Sequence, residues 1–438
     1  MSLKTYQRGT HRACTPQATY EKISPWLLHM GITRVANITG LDRIGVPVVT
    51  VCRPDSCAIS VAQGKGLDLI SAKVSGIMEA IESFHGEHID LPLRRASYHE
   101  LCQQQAAIDV GSLPGLSFSQ FSEHARILWV EGQDLQTRQP LFVPYEIVHC
   151  DYTLPLPAGS GSFVMSTNGL ASGNTYEEAV VHGLCEVIER DALTLWFIEQ
   201  RFTEQRFTEQ GAIEKQHTPA TDNRLIDLAS VDDVACRQVL DQFHQAQMQV
   251  QVWDIRSDTG LPGFFCTIIP GKTDENHTLC GPAYSSSGSG THPCKGIALL
   301  RALTEAAQTR LTMISGSRDD IEANDYRHAE PENRPDVPPG SLQNLRSFRD
   351  IPSWSHDSFE EDIALILDKL NQAGIHQVAV VNLEKSPYHI PVVRVVVPGL
   401  EGIHGTPGYV MGQRAMAYRD ALKKADKDSD TTTGGDHR

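Results

Sequence analysis

Acidic residues recur at helical spacing in three separate segments of this sequence. At about 100° per residue, Ser75, Glu79 and Glu82 fall on one face of a helix predicted from about 67 to 84, opposite an apolar face. Carboxylates this close repel one another unless a cation lies between them. The spacing therefore indicates either a solvated helix face or a cation site.

Two further predicted helices, at about 176–197 and 293–314, repeat this design. The polar side of the second helix is formed by Glu178, Glu186 and Glu189, with Asn174 just before its start and Arg190 at its flank. The polar side of the third helix is formed by Arg301, Glu305, Gln308 and Thr312. Mg²⁺ prefers carboxylate oxygens, water and substrate phosphates, so several converging acidic helices suit magnesium.

Glycine-rich segments at 63–66 and 285–291 precede the first and third of these helices. As loops at helix N-termini they would offer backbone N–H groups to phosphates. Neither is a Walker motif, since Lys65 is followed by Gly66. Flexible loops without a ligand are the alternative. Together with Arg190 and Arg301, the pattern favours metal-dependent nucleotide chemistry.

Composition sets the limits on partners and location. The 438 residues carry a net charge of −16, which argues against a general nucleic-acid footprint. No run approaches the ~18 apolar residues of a membrane helix, and the first residues lead into no signal core. The ten cysteines form no C-x-x-C pair. We therefore expect a cytoplasmic protein with free thiols, no nucleic-acid partner and no membrane partner.

Strands and helices mix without strict βαβ alternation, which favours an α+β (mixed α/β) fold. A continuous β-branched run predicts a buried strand at 45–52, and further strands are predicted at 377–382 and 392–397. We expect one composite catalytic domain over 1–415, with surface excursions near 201–225 and 315–355. The polar residues 425–438 predict a disordered tail.

Up to about residue 415, the chain resembles the YcaO family. The resemblance rests on Ser75-x-x-x-Glu79-x-x-Glu82, on Asn174-x-x-x-Glu178 followed by Glu186-x-x-Glu189-Arg190, and on Arg301-x-x-x-Glu305. It implies a fold with mixed sheets and helices that bind ATP and Mg²⁺.

The resemblance also implies roles for individual residues. Metal ligands would be Glu79, Glu82, Glu178, Glu186, Glu189 and Glu305. Of these, the catalytic group would be Glu79, Glu82, Glu189 and Glu305. Nucleotide contacts would come from Ser75, Asn174, Glu178, Arg190, Arg301 and Lys4, with Arg8 also near the nucleotide. His182 lies on the acidic face and is either a proton-transfer group or a structural histidine.

The activity implied by the family is ATP-dependent activation of a peptide backbone amide. Attack by a side chain of the substrate then gives an azoline, whereas attack by sulfide gives a thioamide. Azoline-forming relatives end in a Pro-x-Pro-x-Pro segment, but this sequence ends Gly434-Gly435-Asp436-His437-Arg438. A second departure is Ser83, where many relatives carry Arg.

Segments 31–35, 39–45 and 301–320 resemble the branch associated with TfuA-like partners. We therefore expect thioamide formation in a peptide or protein substrate, with a TfuA-like partner protein and a sulfide donor. The alternatives are a cyclodehydratase of ribosomally made peptides and a non-catalytic accessory factor for protein methylthiolation. A homodimer is a further expectation from the family.

Overall fold

The computed structural model describes residues 1–209, 224–271, 285–322, 326, 345–402, 404–406 and 408–433. The helices are α1 (Pro16–Ile23), α2 (Leu69–Glu87), α3 (Tyr98–Cys102), α4 (Tyr176–Glu209), α5 (Val234–Gln245), α6 (Lys295–Ser315), α7 (Phe359–Gln372) and α8 (Gln413–Thr433). The strands are β1 (Arg34–Asn37), β2 (Val48–Cys52), β3 (Val61–Lys65), β4 (Leu93–Ala96), β5 (Gly115–Leu116), β6 (Ile127–Asp134), β7 (Pro140–Pro144), β8 (Leu170–Ser172), β9 (Ile226–Asp227), β10 (Met248–Asp254), β11 (Gly263–Pro270), β12 (Ser286–Thr291), β13 (Arg346–Ser347), β14 (Ala379–Asn382), β15 (Val392–Val396) and β16 (Tyr409–Val410).

The strands form several sheets, most of them antiparallel. Strands β1, β2 and β3 form one three-stranded sheet, and β10, β11 and β12 form another. The largest sheet has the order β4-β6-β14-β15-β8, with β7 paired to β6. Two short pairs, β13 with β9 and β16 with β5, complete the described strands. This arrangement confirms the predicted α+β class.

Each of the three acidic helices packs its apolar face on a different sheet and its own core. Helix α2 buries Ile77 and Ile81 against the sheet of β2 and β3. Helix α4 buries Leu184 between β15 and α7. Helix α6 buries Leu299 and Leu303 against β11, β12 and α5. Burying one face of each helix fixes the direction in which its opposite, polar face points.

The two glycine-rich segments are strands, so the predicted phosphate loops are wrong. Residues 63–65 belong to β3, and 286–291 form β12. A Cβ atom added to Gly64 would lie 2.0 Å from the backbone nitrogen of Gly76, and one on Gly290 would lie 2.2 Å from the Ala298 carbonyl oxygen. The glycines are therefore required for a close approach of strand and helix backbones, rather than for binding an anion.

Helix α8 replaces much of the tail predicted to be disordered, because it continues through Thr433. Residues 413–425 are rich in Ala, Lys and Arg, which favour helix strongly, whereas residues 426–433 are mostly Asp, Ser and Thr, which favour it less. Near its start, Arg414 donates to both oxygens of the buried Asp191, at 2.9 and 3.1 Å. Residues 434–438 lie outside the described part of the chain.

Helix α4 also extends beyond its predicted end near 197, as far as Glu209. The rest of the excursion predicted near 201–225 falls mostly outside the described residues. So does most of the excursion near 315–355, although helix α6 ends at Ser315 with Gly316 in the left-handed conformation (φ 56°). Among the described residues, no helix combines the length and apolar character required to cross a membrane.

Candidate active site

Helices α2, α4 and α6 converge on a cavity of about 710 Å³. Nine of the predicted site residues line it: Ser75, Glu79, Glu82, Asn174, Glu178, Glu186, Arg190, Arg301 and Glu305. The structure thus brings together polar faces that are far apart in sequence. Glu189 and Lys4 are the two predicted site residues outside this lining.

Glu82 is fixed by the edge of the largest sheet. Its Oε1 atom accepts hydrogen bonds from the backbone N–H of Ser172 (2.8 Å) and from the Ser172 hydroxyl (2.6 Å). Both bonds use the same carboxylate oxygen, and Ser172 is the last residue of β8. The carboxylate is therefore oriented before any ligand enters the cavity.

Glu178 is held by the N-terminal segment and by Asn174. Asn174 donates through Nδ2 to both carboxylate oxygens, at 3.1 and 3.2 Å. The Ala13 N–H donates at 2.9 Å, and Arg12 Nε lies 3.6 Å away. Thr19 in turn donates to Asn174 Oδ1 at 2.8 Å. Arg12, which also lines the cavity, had no periodic or motif signal in the sequence.

Glu189 is buried behind the cavity and takes bonds from β12. The Ser289 hydroxyl donates at 2.7 Å and the Thr291 N–H at 3.0 Å, one to each carboxylate oxygen. The guanidinium of Arg301 lies 3.6 Å away. In this structure Glu189 therefore joins helix α4 to β12 and positions Arg301.

Glu305 forms an ion pair with a lysine side chain. Lys65 Nζ lies 2.8 Å from Glu305 Oε2, which joins β3 to helix α6. Burial opposes ionisation of Glu305, but Lys65, Arg190 and Arg301 outweigh it and hold its pKa below the ordinary value. Lys65 was predicted to bind phosphate as part of a loop. Its pairing with Glu305 depends on tertiary contacts that the sequence does not reveal.

Three other glutamates have raised pKa values, each mainly because surrounding protein desolvates the carboxylate. The Glu79 side chain is accessible to solvent through the cavity, but the surrounding cavity walls partly desolvate its carboxylate. This desolvation and the nearby Glu186 raise its pKa to about 7. Burial, followed by the nearby Glu79 and Glu186, raises the pKa of Glu82 to about 8. Burial and Glu189 raise that of Glu186 to about 7. Carboxylates in this condition gain from a divalent cation that offsets their mutual repulsion.

Two arginines that line the cavity, Arg190 and Arg301, each have a hydrogen-bond donor without an acceptor in the described part of the chain. The buried Nε atoms of Arg190 and Arg301 have no acceptor among the residues that the structure describes. Such orphan donors are costly unless a ligand pairs with them, and guanidinium groups match phosphate oxygens well. Hard carboxylate oxygens beside unpaired guanidinium donors are a donor set that fits Mg²⁺ together with a polyphosphate.

Lys4 does not reach this cavity, which differs from its predicted nucleotide contact. Its ammonium lies 2.6 Å from Asp362 Oδ2 and donates to the His356 carbonyl oxygen at 3.0 Å. Both Lys4 and Asp362 are buried. A buried lysine needs a counter-charge, and Asp362 in α7 supplies it. Arg8, in contrast, lines the cavity.

His182 lies on the cavity wall. Burial lowers its pKa well below the ordinary value, and the nearby Arg301 contributes to the shift. The imidazole is therefore neutral near pH 7, whichever of the two predicted roles it has.

A family model supports what the geometry indicates. Residues 63–401 match the model described as "YcaO cyclodehydratase, ATP-ad Mg2+-binding". The chain therefore belongs to the YcaO family. The description confirms ATP and Mg²⁺ as the predicted cofactors.

Two relatives align with almost the whole chain. A protein described as lying in the tfuA 3′ region of Rhizobium leguminosarum bv. trifolii is 35% identical, and the alignment covers 92% of each chain. A protein of Methanothermobacter thermautotrophicus is 33% identical, over 89% of this chain and 95% of the relative.

Solved structures share the fold at lower identity. A heterocyclase in complex with substrate and cofactor superposes with a TM-score of 0.70 at 22% identity, over 91% of this chain. This chain spans only about half (53%) of that heterocyclase. YcaO from Methanopyrus kandleri, bound with AMPPCP and Mg²⁺, superposes with a TM-score of 0.65 at 21% identity, over 94% and 99% of the two chains.

Proposed function

We propose that this protein uses ATP and Mg²⁺ to activate a backbone amide of a peptide or protein and that sulfide then converts this amide to a thioamide. The amide oxygen would attack the γ-phosphorus of ATP, with ADP leaving. Sulfide would then attack the amide carbon, and the original oxygen would leave with the phosphate. The proposal includes a TfuA-like partner that helps to deliver sulfide.

The observation that carries this proposal is one cavity in which carboxylates and unpaired guanidinium donors face each other. Glu79, Glu186 and Glu305 come from three different helices, and Arg190 and Arg301 line the same cavity, each with a buried Nε that has no acceptor among the described residues. Phosphoryl transfer depends mainly on positioning and charge stabilisation, which fixed groups of this kind supply.

Each set of residues has a definable task. The six glutamates of the predicted ligand set are Glu79, Glu82, Glu178, Glu186, Glu189 and Glu305. Those lining the cavity would hold Mg²⁺, which neutralises the triphosphate, while the buried Glu189 would orient Arg301. Arg190 and Arg301 would bind phosphate oxygens, and Ser75 and Asn174 would contact the nucleotide. Arg8 and Arg12 add positive charge where the N-terminal segment borders the cavity.

The choice of thioamide over azoline is supported by the relative from the tfuA 3′ region, which aligns with 92% of this chain. The sequence segments 31–35, 39–45 and 301–320 resemble the same branch. The likeness to a heterocyclase favours the competing azoline product. Both products require the same phosphorylation step, so the fold serves either.

The decisive experiment is the intact mass of a candidate substrate peptide after incubation with the protein, its TfuA-like neighbour, ATP, Mg²⁺ and sulfide. Exchange of oxygen for sulfur adds about 16 Da, whereas cyclodehydration removes about 18 Da. We expect the gain. Loss of water would show that the protein is a cyclodehydratase, and an unchanged mass without ATP hydrolysis would contradict the proposed enzyme activity.

A matched control uses Glu79→Gln, which keeps the shape of the side chain but removes its charge. We expect this variant to leave the substrate unmodified under the same conditions. A mass gain that persists with Glu79→Gln would show that the modification does not depend on this cavity.

A further inference from the structure

The three helices that form the cavity belong to three equivalent strand–helix units. The units are β3 with α2, β8 with α4, and β12 with α6. Their strands end at Lys65, Ser172 and Thr291, and in each unit three residues separate the strand from the helix. A glutamate lies ten positions after each helix begins; these residues are Glu79, Glu186 and Glu305.

Packing is equivalent in the three units as well. Each strand lies in an antiparallel arrangement of three neighbouring strands, β1-β2-β3, β14-β15-β8 or β10-β11-β12. Three residues after Glu79, Glu186 and Glu305, the three helices carry Glu82, Glu189 and Gln308, respectively. Gln308 is therefore the counterpart, in the third unit, of two residues already assigned to the site.

These three counterparts connect the units in a ring. Glu82 of the first unit accepts from Ser172 of the second, and Glu189 of the second accepts from Ser289 and Thr291 of the third. Gln308 of the third unit closes the ring by donating through Nε2 to the Gln63 carbonyl oxygen of the first, at 3.3 Å.

The chemistry of this last contact explains why the third unit has a glutamine where the other two units have a glutamate. Ser172 and Thr291 present N–H groups, which a carboxylate accepts, but Gln63 presents a carbonyl oxygen, which a carboxylate would repel. An amide donates to that carbonyl and still keeps one oxygen. Gln308 Oε1 is buried, and no donor for it exists within the described residues, while Gln308 itself lines the cavity.

Building on the proposed function, we propose that Gln308 Oε1 is a further, neutral ligand for a divalent cation held by the glutamates of the cavity. Amide carbonyl oxygens are suitable ligands for hard divalent cations. A neutral ligand adds coordination without adding to the repulsion among Glu79, Glu186 and Glu305. A buried oxygen without a donor is costly, and a cation in the cavity would offset that cost.

The test measures Mn²⁺ binding to the full-length protein in the presence of a β,γ-methylene analogue of ATP, using the electron paramagnetic resonance signal of free Mn²⁺. Gln308→Leu removes the oxygen, and we expect it to weaken Mn²⁺ binding by at least about tenfold, as is typical when support of a metal site is lost. Gln308→Glu keeps an oxygen at this position, so we expect it to retain most of the affinity despite losing the bond to Gln63.

Thr309→Val is the matched control, because Thr309 also lines the cavity on helix α6 and has no assigned role. We expect wild-type Mn²⁺ affinity for this variant. Equal Mn²⁺ affinity for wild type and Gln308→Leu would overturn the inference. The inference would also be overturned if Gln308→Leu and Gln308→Glu lost the same Mn²⁺ affinity and showed the same drop in urea midpoint. Gln308 would then serve only to connect the first and third units. Absence of Mn²⁺ binding by the wild type would instead overturn the proposed function, and the inference with it.

Discussion

The ammonium of Lys65 lies 2.8 Å from the carboxylate of Glu305, which connects the end of β3 with the middle of helix α6. Both residues line the cavity, to which helices α2 and α4 also contribute acidic residues. The state of Glu305 therefore depends on a lysine that is 240 residues away in sequence.

Lys65→Met should make cation binding more dependent on pH. Without the lysine, the pKa of Glu305 rises, so protons compete more strongly with Mg²⁺ at pH 6 than at pH 8. We expect weaker Mg²⁺ binding than wild type at pH 6 and no such loss at pH 8, measured by calorimetry with a non-hydrolysable nucleotide. Lys65→Arg retains the charge and serves as the control. Parallel pH profiles for wild type and Lys65→Met would contradict this.

The cation-free protein should lose stability as pH rises from about 5 to about 8. The pKa values of Glu79, Glu82 and Glu186 are raised from 4.5 to about 7, 8 and 7. In this interval the folded state holds more protons than the unfolded state, so the free energy of unfolding falls with increasing pH. Urea titrations at several pH values measure this slope. Glu82→Gln, which imitates the protonated form, should make the slope smaller.

Glu189→Gln should lower both activity and stability. One of its oxygens becomes an NH₂ group, which faces either the Ser289 hydroxyl or the Thr291 N–H and loses an acceptor there. The expected cost is about 1–3 kcal/mol of unfolding free energy. Glu79→Gln is the comparison, because Glu79 is open to the cavity and should lose ATP turnover with little change in urea midpoint. Unchanged stability of Glu189→Gln would show that the two bonds contribute little.

Lys4→Met should destabilise the protein without changing its affinity for ATP. Its loss leaves the buried Asp362 carboxylate without its counter-charge, which typically costs about 3–5 kcal/mol. Arg8→Ala, at the cavity wall, should instead raise the KM for ATP and leave the urea midpoint nearly unchanged. A raised KM for ATP in the folded fraction of Lys4→Met would instead support the nucleotide contact that the sequence analysis predicted for Lys4.

Gly64→Ala should prevent helix α2 from packing on β3. The new Cβ atom would lie 2.0 Å from Gly76 N and 2.1 Å from the Ala72 carbonyl oxygen, and both are backbone atoms. Overpacking of this kind should cost at least about 3 kcal/mol in urea unfolding. Gly40→Ala is the control, since no atom lies within 4 Å of its added Cβ. Similar midpoints for the two variants would contradict the close approach.

Much of the site was predictable because helical periodicity is a local property. Glu79, Glu186 and Glu305 each lie opposite an apolar stripe in their own helix, so the sequence predicts that they face away from the core. The family motifs then predict that the three faces meet. Neither source predicts which carboxylate is open to the cavity and which, like Glu189, is bonded to a neighbouring strand.

The errors arise where tertiary packing overrides local preference. The run of Ser and Gly at 286–291 has low strand propensity, yet pairing with β11 and close packing on α6 make it a strand. The family resemblance implied that Lys4 contacts the nucleotide, but in the structure Lys4 pairs with the buried Asp362 in the interior. Lys4 and Asp362 are more than 350 residues apart, so no periodic pattern in the sequence indicates that they pair.

The contact between Arg414 and Asp191 ties the carboxy-terminal helix α8 to helix α4, which carries part of the candidate site. Asp191 is fully buried, follows Arg190 directly in helix α4, and receives two hydrogen bonds from Arg414. A truncation that removes α8 would leave the buried Asp191 carboxylate without its counter-ion, directly beside Arg190, for which we propose phosphate binding. Versions of the protein that end before residue 413 are therefore poor starting points for enzymology, and affinity tags belong beyond this helix.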